Sequence, residues 1–156
     1  MSFGSTSRIL RGEASIGAAA QHFEDGRLPS ISGVIVDANL GWRLSGLTSL
    51  LFTARSDIGE STVAGSGGSI TRQAGVEVRH AFRRHLIGTA GVRLSQADFA
   101  GVKLVEQDVT ATAGLEYFAS REVTIFGRYS HTDFESTNAT GNYNADEVRL
   151  GVRVRR

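Results

Sequence analysis

The chain has 156 residues, 40% of them hydrophobic, and a formal net charge of +1, which bounds it to one domain without the clustered basic excess of a nucleic-acid binder. Cysteine is absent, excluding a disulfide framework, a thiolate zinc site and a Cys nucleophile. Nineteen glycines against one proline favour strands over helices, and the lack of any run of about 18 apolar residues excludes a transmembrane helix while leaving a β-barrel open.

Residues 1–8 have neither the basic start nor the apolar core of a secretory signal, and are expected to be a disordered segment ahead of a single domain over residues 9–156. A first alternating run over residues 10–23 sets Leu10, Ala14, Ile16, Ala18 and Ala20 against Arg11, Glu13, Ser15 and Gln21. A polar connection with the sole proline, Pro29, leads to a stronger run, Val34, Val36, Ala38, Leu40, Trp42 and Leu44 against Ile35, Asp37, Asn39, Gly41 and Arg43. Ser45-Gly46-Leu47 is a tight turn into a third run, in which Leu50, Phe52 and Ala54 oppose Leu51, Thr53, Arg55 and Asp57. Residues 58–69, with Gly65-Ser66-Gly67-Gly68-Ser69, lack periodicity and read as a flexible loop with Ser66 exposed; a phosphate-cradling loop would need a helix behind it.

The fourth run sets Ala74, Val76, Val78 and Phe82 against Gln73, Gly75, Glu77 and Arg79, and turns through Arg83-Arg84-His85. The fifth sets Leu86, Ala90, Val92 and Leu94 against Thr89, Gly91, Arg93 and Ser95, followed by a longer connection over residues 97–104. The clearest pattern is the hairpin over residues 109–131. Val109, Ala111, Ala113, Leu115 and Tyr117 alternate with Asp108, Thr110, Thr112, Gly114 and Glu116, and beyond the turn Val123, Ile125, Gly127 and Tyr129 alternate with Thr124, Phe126, Arg128 and Ser130. A long polar loop over residues 131–144 precedes the last run, Val148, Leu150, Val152 and Val154 against Glu147, Arg149, Gly151 and Arg153.

These runs predict an all-β fold: an eight-stranded antiparallel up-and-down transmembrane β-barrel with short periplasmic turns and longer extracellular loops. Each run suffices for a tilted strand of about 9–11 residues across a bilayer, with aromatic residues near its ends. Val36, Leu40, Trp42, Phe52, Val76, Val92, Leu115, Ile125 and Leu150 are expected to face lipid. Glu13, Asp37, Asn39, Arg55, Glu77, Arg79, Arg93, Asp108, Glu116, Arg128, Glu147 and Arg149 are expected to form a polar network that fills the lumen, since eight strands leave no wide channel. The rival is a soluble lipocalin-like ligand-binding barrel with the apolar face inward. Against it stand the alternation of long and short connections, the Gly and Ala content of the strands, and the lack of a first-strand Gly-x-Trp and a final helix.

With the strands placed, the chain from about residue 10 onward resembles the C-terminal part of the putative β-barrel porin 2 family of Gram-negative outer-membrane proteins. The resemblance rests on Asp37-Ala38-Asn39-Leu40-Gly41-Trp42-Arg43-Leu44 with Thr48-Ser49-Leu50, and on the closing Glu147-Val148-Arg149-Leu150-Gly151-Val152-Arg153-Val154. It implies outer-membrane residence, with a signal peptide absent from this chain, and a structural, anchoring or porin-like role. Such barrels usually end on an aromatic residue, whereas this chain ends Arg155-Arg156. The expected partners are membrane lipids and, for a chain made with a signal peptide, the barrel assembly machinery; a monomer is expected, with no cofactor, no metal and no enzymatic activity.

The histidines, His22, His80, His85 and His131, show no metal-ligand spacing. His131 with Ser130, Asp133 and Glu147 loosely resembles the site of outer-membrane lipid A hydrolases, but Ser130 faces the opposite side of the strand from His131. The basic cluster at Arg79-His80 and Arg83-Arg84-His85 suits phospholipid headgroups. Asn138-Ala139-Thr140 fits a glycosylation acceptor by chance.

Overall fold

The computed structural model describes residues 2–6, 9–21, 30–138 and 141–155; His22, Pro29, Ala139, Thr140 and Arg156 lie outside the described residues. Nine strands follow one another: β1 (Ser2–Thr6), β2 (Leu10–Gln21), β3 (Ile31–Arg43), β4 (Thr48–Gly59), β5 (Gly68–Arg83), β6 (Leu86–Ala100), β7 (Leu104–Phe118), β8 (Val123–Ser136) and β9 (Tyr143–Val154). They form one sheet in sequence order, every neighbouring pair antiparallel. The eight predicted strands are therefore present, with one more ahead of them. The segment expected to be disordered contributes β1, paired with β2 from Ser2↔Ser15 to Thr6↔Arg11, because an open edge offers unmet backbone donors and acceptors even to a segment without alternation.

The predicted ring is not closed among the described residues. β1 and β9 are the two edges, and each pairs on one side only. The direction of the strands gives the reason. Closing an eight-strand ring antiparallel requires β9 beside β2, but β1 already occupies the lower half of that edge. β1 and β9 themselves run the same way, so their direct pairing would be parallel, unlike every other pair in the sheet.

Two short connections share one construction. Ser45 Oγ accepts the amides of Leu47 (3.2 Å) and Thr48 (3.0 Å), and Ser120 Oγ accepts those of Glu122 (3.2 Å) and Val123 (3.0 Å). Thr48 and Val123 carbonyls close the two turns by accepting Leu44 and Ala119 amides, each at 3.0 Å. At the opposite end the strands run further than their apolar patterns. Residues 97–104, expected as a long connection, continue β6 to Ala100 and start β7 at Leu104, leaving only Gly101, Val102 and Lys103 between. Likewise β8 continues to Ser136, pairing Thr132 through Ser136 with Glu106 through Thr110, and β9 begins at Tyr143. Antiparallel ladders need backbone partners and no apolar face, so a polar sequence extends them unseen.

The glycine-rich connection is ordered where a flexible loop was expected. Ser66 is 7% exposed; its Oγ donates to the Gly68 carbonyl (2.8 Å) and accepts the Gly68 amide (3.3 Å), while the Gly67 amide donates to Ala100 (3.2 Å). Beneath it lies Ile31, the sole buried hydrophobic side chain among the described residues, against which any Cβ at Gly68 would collide.

Candidate functional site

The register sorts every predicted site residue onto one of two faces. Directly paired residues share a face, so the rung Thr112, Gly91, Glu77, Leu51, Gly41, Arg11 lies opposite the rung Ala113, Ala90, Val78, Leu50, Trp42, Leu10. Followed along the sheet, Val36, Leu40, Trp42, Phe52, Val76, Val92, Leu115, Ile125 and Leu150 fall together on one face. Glu13, Asp37, Asn39, Arg55, Glu77, Arg79, Arg93, Asp108, Glu116, Arg128, Glu147 and Arg149 fall on the other.

Curvature distinguishes the faces. In β7 the apolar side chains stand out, with Leu115 54% exposed, while Thr110, Thr112 and Glu116 are half-buried. In β6, β7 and β8 the polar face is therefore the sheltered, concave one, whereas in β3 and β4 Asp37, Asn39, Thr53 and Arg55 are exposed and Ala38, Leu40, Leu50 and Ala54 half-buried. Two cross-strand reaches agree with this: Arg79 on β5 meets Glu116 on β7 at 3.5 Å across β6, and Arg153 on β9 approaches the same carboxylate at 4.0 Å across β8. Glycine makes room for this crowding, since a Cβ at Gly114 would sit 2.8 Å from Thr89 Oγ1 and one at Gly75 would sit 2.9 Å from Thr53 Oγ1.

The sheet is open, so it encloses no lumen across which the expected polar network could meet. Its ion pairs run along the wall: Arg79 with Glu116, Arg55 with Asp57 at 3.5 Å, and Arg149 with Glu147 on the same strand. Arg128 and Arg149 stand directly opposite each other on β8 and β9. Each strand touches its sequence neighbours, and the one further contact of any extent is β3 with β5.

The apolar face carries exposed aromatic side chains: Trp42, Phe82 and Tyr117 lie towards the short turns, and Tyr129 lies at mid-strand in β8, on the same rung as Trp42. Above Tyr129 the same face turns polar, a feature missed in the sequence. Tyr129 Oη donates to Asp146 Oδ1 (2.6 Å), His131 Nδ1 lies 2.8 Å from that oxygen, and Arg72 pairs with Asp98, which also accepts Gln96 Nε2 (3.1 Å). The signal was present in the parity: His131, Asp133 and Glu135 continue the positions of Ile125, Gly127 and Tyr129.

The histidines are placed separately. His80 Nδ1 lies 2.8 Å from Thr48 Oγ1 and its ring meets Phe82 edge-on at 4.9 Å; His85 meets Tyr117 at 5.3 Å. His131 takes Asp146 as partner, while Ser130 pairs across strands with Glu147 on the concave face. Its ring is thus separated from the serine that a hydrolase would require.

An antiparallel up-and-down sheet with one apolar face and one polar face is consistent with a β-barrel family. The chain belongs to the putative beta-barrel porin 2 family, whose model matches residues 1–156. No curated protein and no solved structure matches the chain.

Proposed function

We propose that this chain forms the wall of a β-barrel in the outer membrane of a Gram-negative bacterium, with its convex face against lipid and its concave face lining a water-accessible lumen. The role is porin-like or structural and needs no catalytic residue. The observation that carries the reading is the exposure of the apolar series on the convex face. Away from the open edges, Val34, Val76, Val92, Leu94, Leu115 and Ile125 range from 40% to 55% exposed, and buried hydrophobic residues are confined to Ile31 among those described. In water such a face far exceeds the few hundred Å² that soluble monomers tolerate, whereas in a bilayer it is the required surface. A lipocalin-like barrel would reverse it, with the apolar side chains sheltered.

The open edges bear on ring size. Unpaired strand edges cannot persist in hydrocarbon, so β1 and β9 must each gain a neighbour. Since β1 holds the edge that an eight-strand ring needs, the ring has more than eight strands. Its lumen is then wider than side chains fill, in keeping with ion pairs that run along the wall.

Refolding the denatured chain into phosphatidylcholine vesicles tests the reading. Boiled and unboiled samples should migrate differently on a gel, and the strands should resist protease in the vesicle sample. A detergent-free, monodisperse monomer that gains nothing from lipid would contradict it.

A further inference from the structure

On the convex face, β6, β7 and β8 carry their smallest side chains side by side. Ala90, Ala113 and Gly127 form the floor of an apolar groove of about 490 Å³, walled by Leu150 on β9 and by Phe82 on β5, whose ring covers Gly88. A second apolar depression lies on the same face over Ala38, Ala54 and Ala74, so what sets this groove apart is the turn that it adjoins. At its short-turn end the register places Gly88 between His80 and Leu115, and the Phe82 ring leans over Gly88, where a bulge in β5 frees it from the ladder. The turn next to Phe82 is Arg83-Arg84-His85, with the His85 ring against Tyr117 on the far side of β6. Apolar groove and cationic turn thus adjoin. The turns at this end carry Arg43, Arg83, Arg84, Arg121 and Arg155 against one acid, Glu122, whereas at the opposite end Asp57, Glu60, Asp98, Asp133, Glu135 and Asp146 outnumber Arg55, Arg72 and Lys103.

We infer that the groove is a binding site for one anionic glycerophospholipid, with an acyl chain on the Ala90, Ala113 and Gly127 floor and its phosphate at Arg83 and Arg84. The inference rests on the membrane reading above. Charge complementarity selects the lipid: basic residues at an anionic surface attract it, and here two arginines stand where a chain in the groove would end in its headgroup. Small floor residues admit a chain that large ones would exclude.

Native mass spectrometry of the protein extracted from vesicles of equal phosphatidylglycerol and phosphatidylcholine tests the site, with protease protection measured on the same samples. Wild type should retain one phosphatidylglycerol in preference to phosphatidylcholine. Arg83→Ala and Arg84→Ala should each lower that preference about fivefold, the factor matching roughly 1 kcal/mol per basic residue at an anionic surface. Ala90→Phe with Ala113→Phe, apolar and compatible with lipid, should abolish retention of either lipid, while Arg121→Ala, at another turn of the same rim, should change nothing. Equal retention of the two lipids by inserted wild type, or retention unaffected by filling the groove, would overturn the site alone. A dimer lost on filling the groove would assign it to a second copy and overturn the lipid. Failure to insert would overturn the membrane reading and the site together.

Discussion

At the scale of single residues, the two faces make opposite demands. Val76 stands 40% exposed at mid-strand on the convex face, so Val76→Arg should cost about 2–4 kcal/mol of folding free energy in bilayers, whereas Thr112→Ser on the concave face should cost little. Urea titration of vesicle-folded protein reads both. Glu116 is the concave side chain with most to lose, because among the described residues it alone meets two arginines, Arg79 and Arg153, and its side chain is only 27% exposed. Glu116→Ala should therefore lower stability by about 1 kcal/mol, the upper range for a solvent-accessible pair. Glu147, expected with Arg149 in the polar network, is 52% exposed, and its removal should be nearly silent in the same titration. Alternation assigned every one of these residues to a face; it could not rank them, because which carboxylate is sheltered depends on curvature and on strands two places away.

At the scale of elements, the turns and the long end of the sheet behave differently. Ser45→Ala and Ser120→Ala each remove an acceptor from two backbone amides, and each should cost about 1 kcal/mol and slow refolding of its hairpin in stopped-flow measurements. Ser66→Ala should cost a similar amount, since its buried hydroxyl ties Gly68 on both polar groups; an unchanged midpoint would return the glycine-rich connection to a free loop. The starts of the strands and the short turns were legible because hydrophobic alternation and turn chemistry coincide there. The ends of β6 and β8 were not, because Asp98, Asp133 and Glu135 interrupt the apolar series while the ladder continues through them. The ordered loop was hidden for a related reason: glycine and serine signal freedom in a sequence, but here they allow close packing on Ile31.

At the scale of the whole molecule, strand direction and ion-pair placement decide what alternation leaves open. Eight strands could be counted from the sequence, but β1 carries no alternation, and its place on the edge of β2 changes how a ring can close. A ring of more than eight strands should conduct. Planar-bilayer recording of the inserted protein should give stable ion-permeable steps, and a silent bilayer with demonstrably inserted protein would restore the filled lumen that an eight-strand ring implies.

The central claim is that the convex apolar face meets lipid and the concave polar face meets water. The chain has no cysteine, so single-cysteine variants can be spin-labelled one at a time along β7 from Val109 to Tyr117 in vesicles. Collision rates with oxygen and with a water-soluble nickel chelate should alternate with period two: oxygen should win at Val109, Ala111, Ala113, Leu115 and Tyr117, and the chelate at Thr110, Thr112, Gly114 and Glu116. The inverse alternation, or none, would contradict the account.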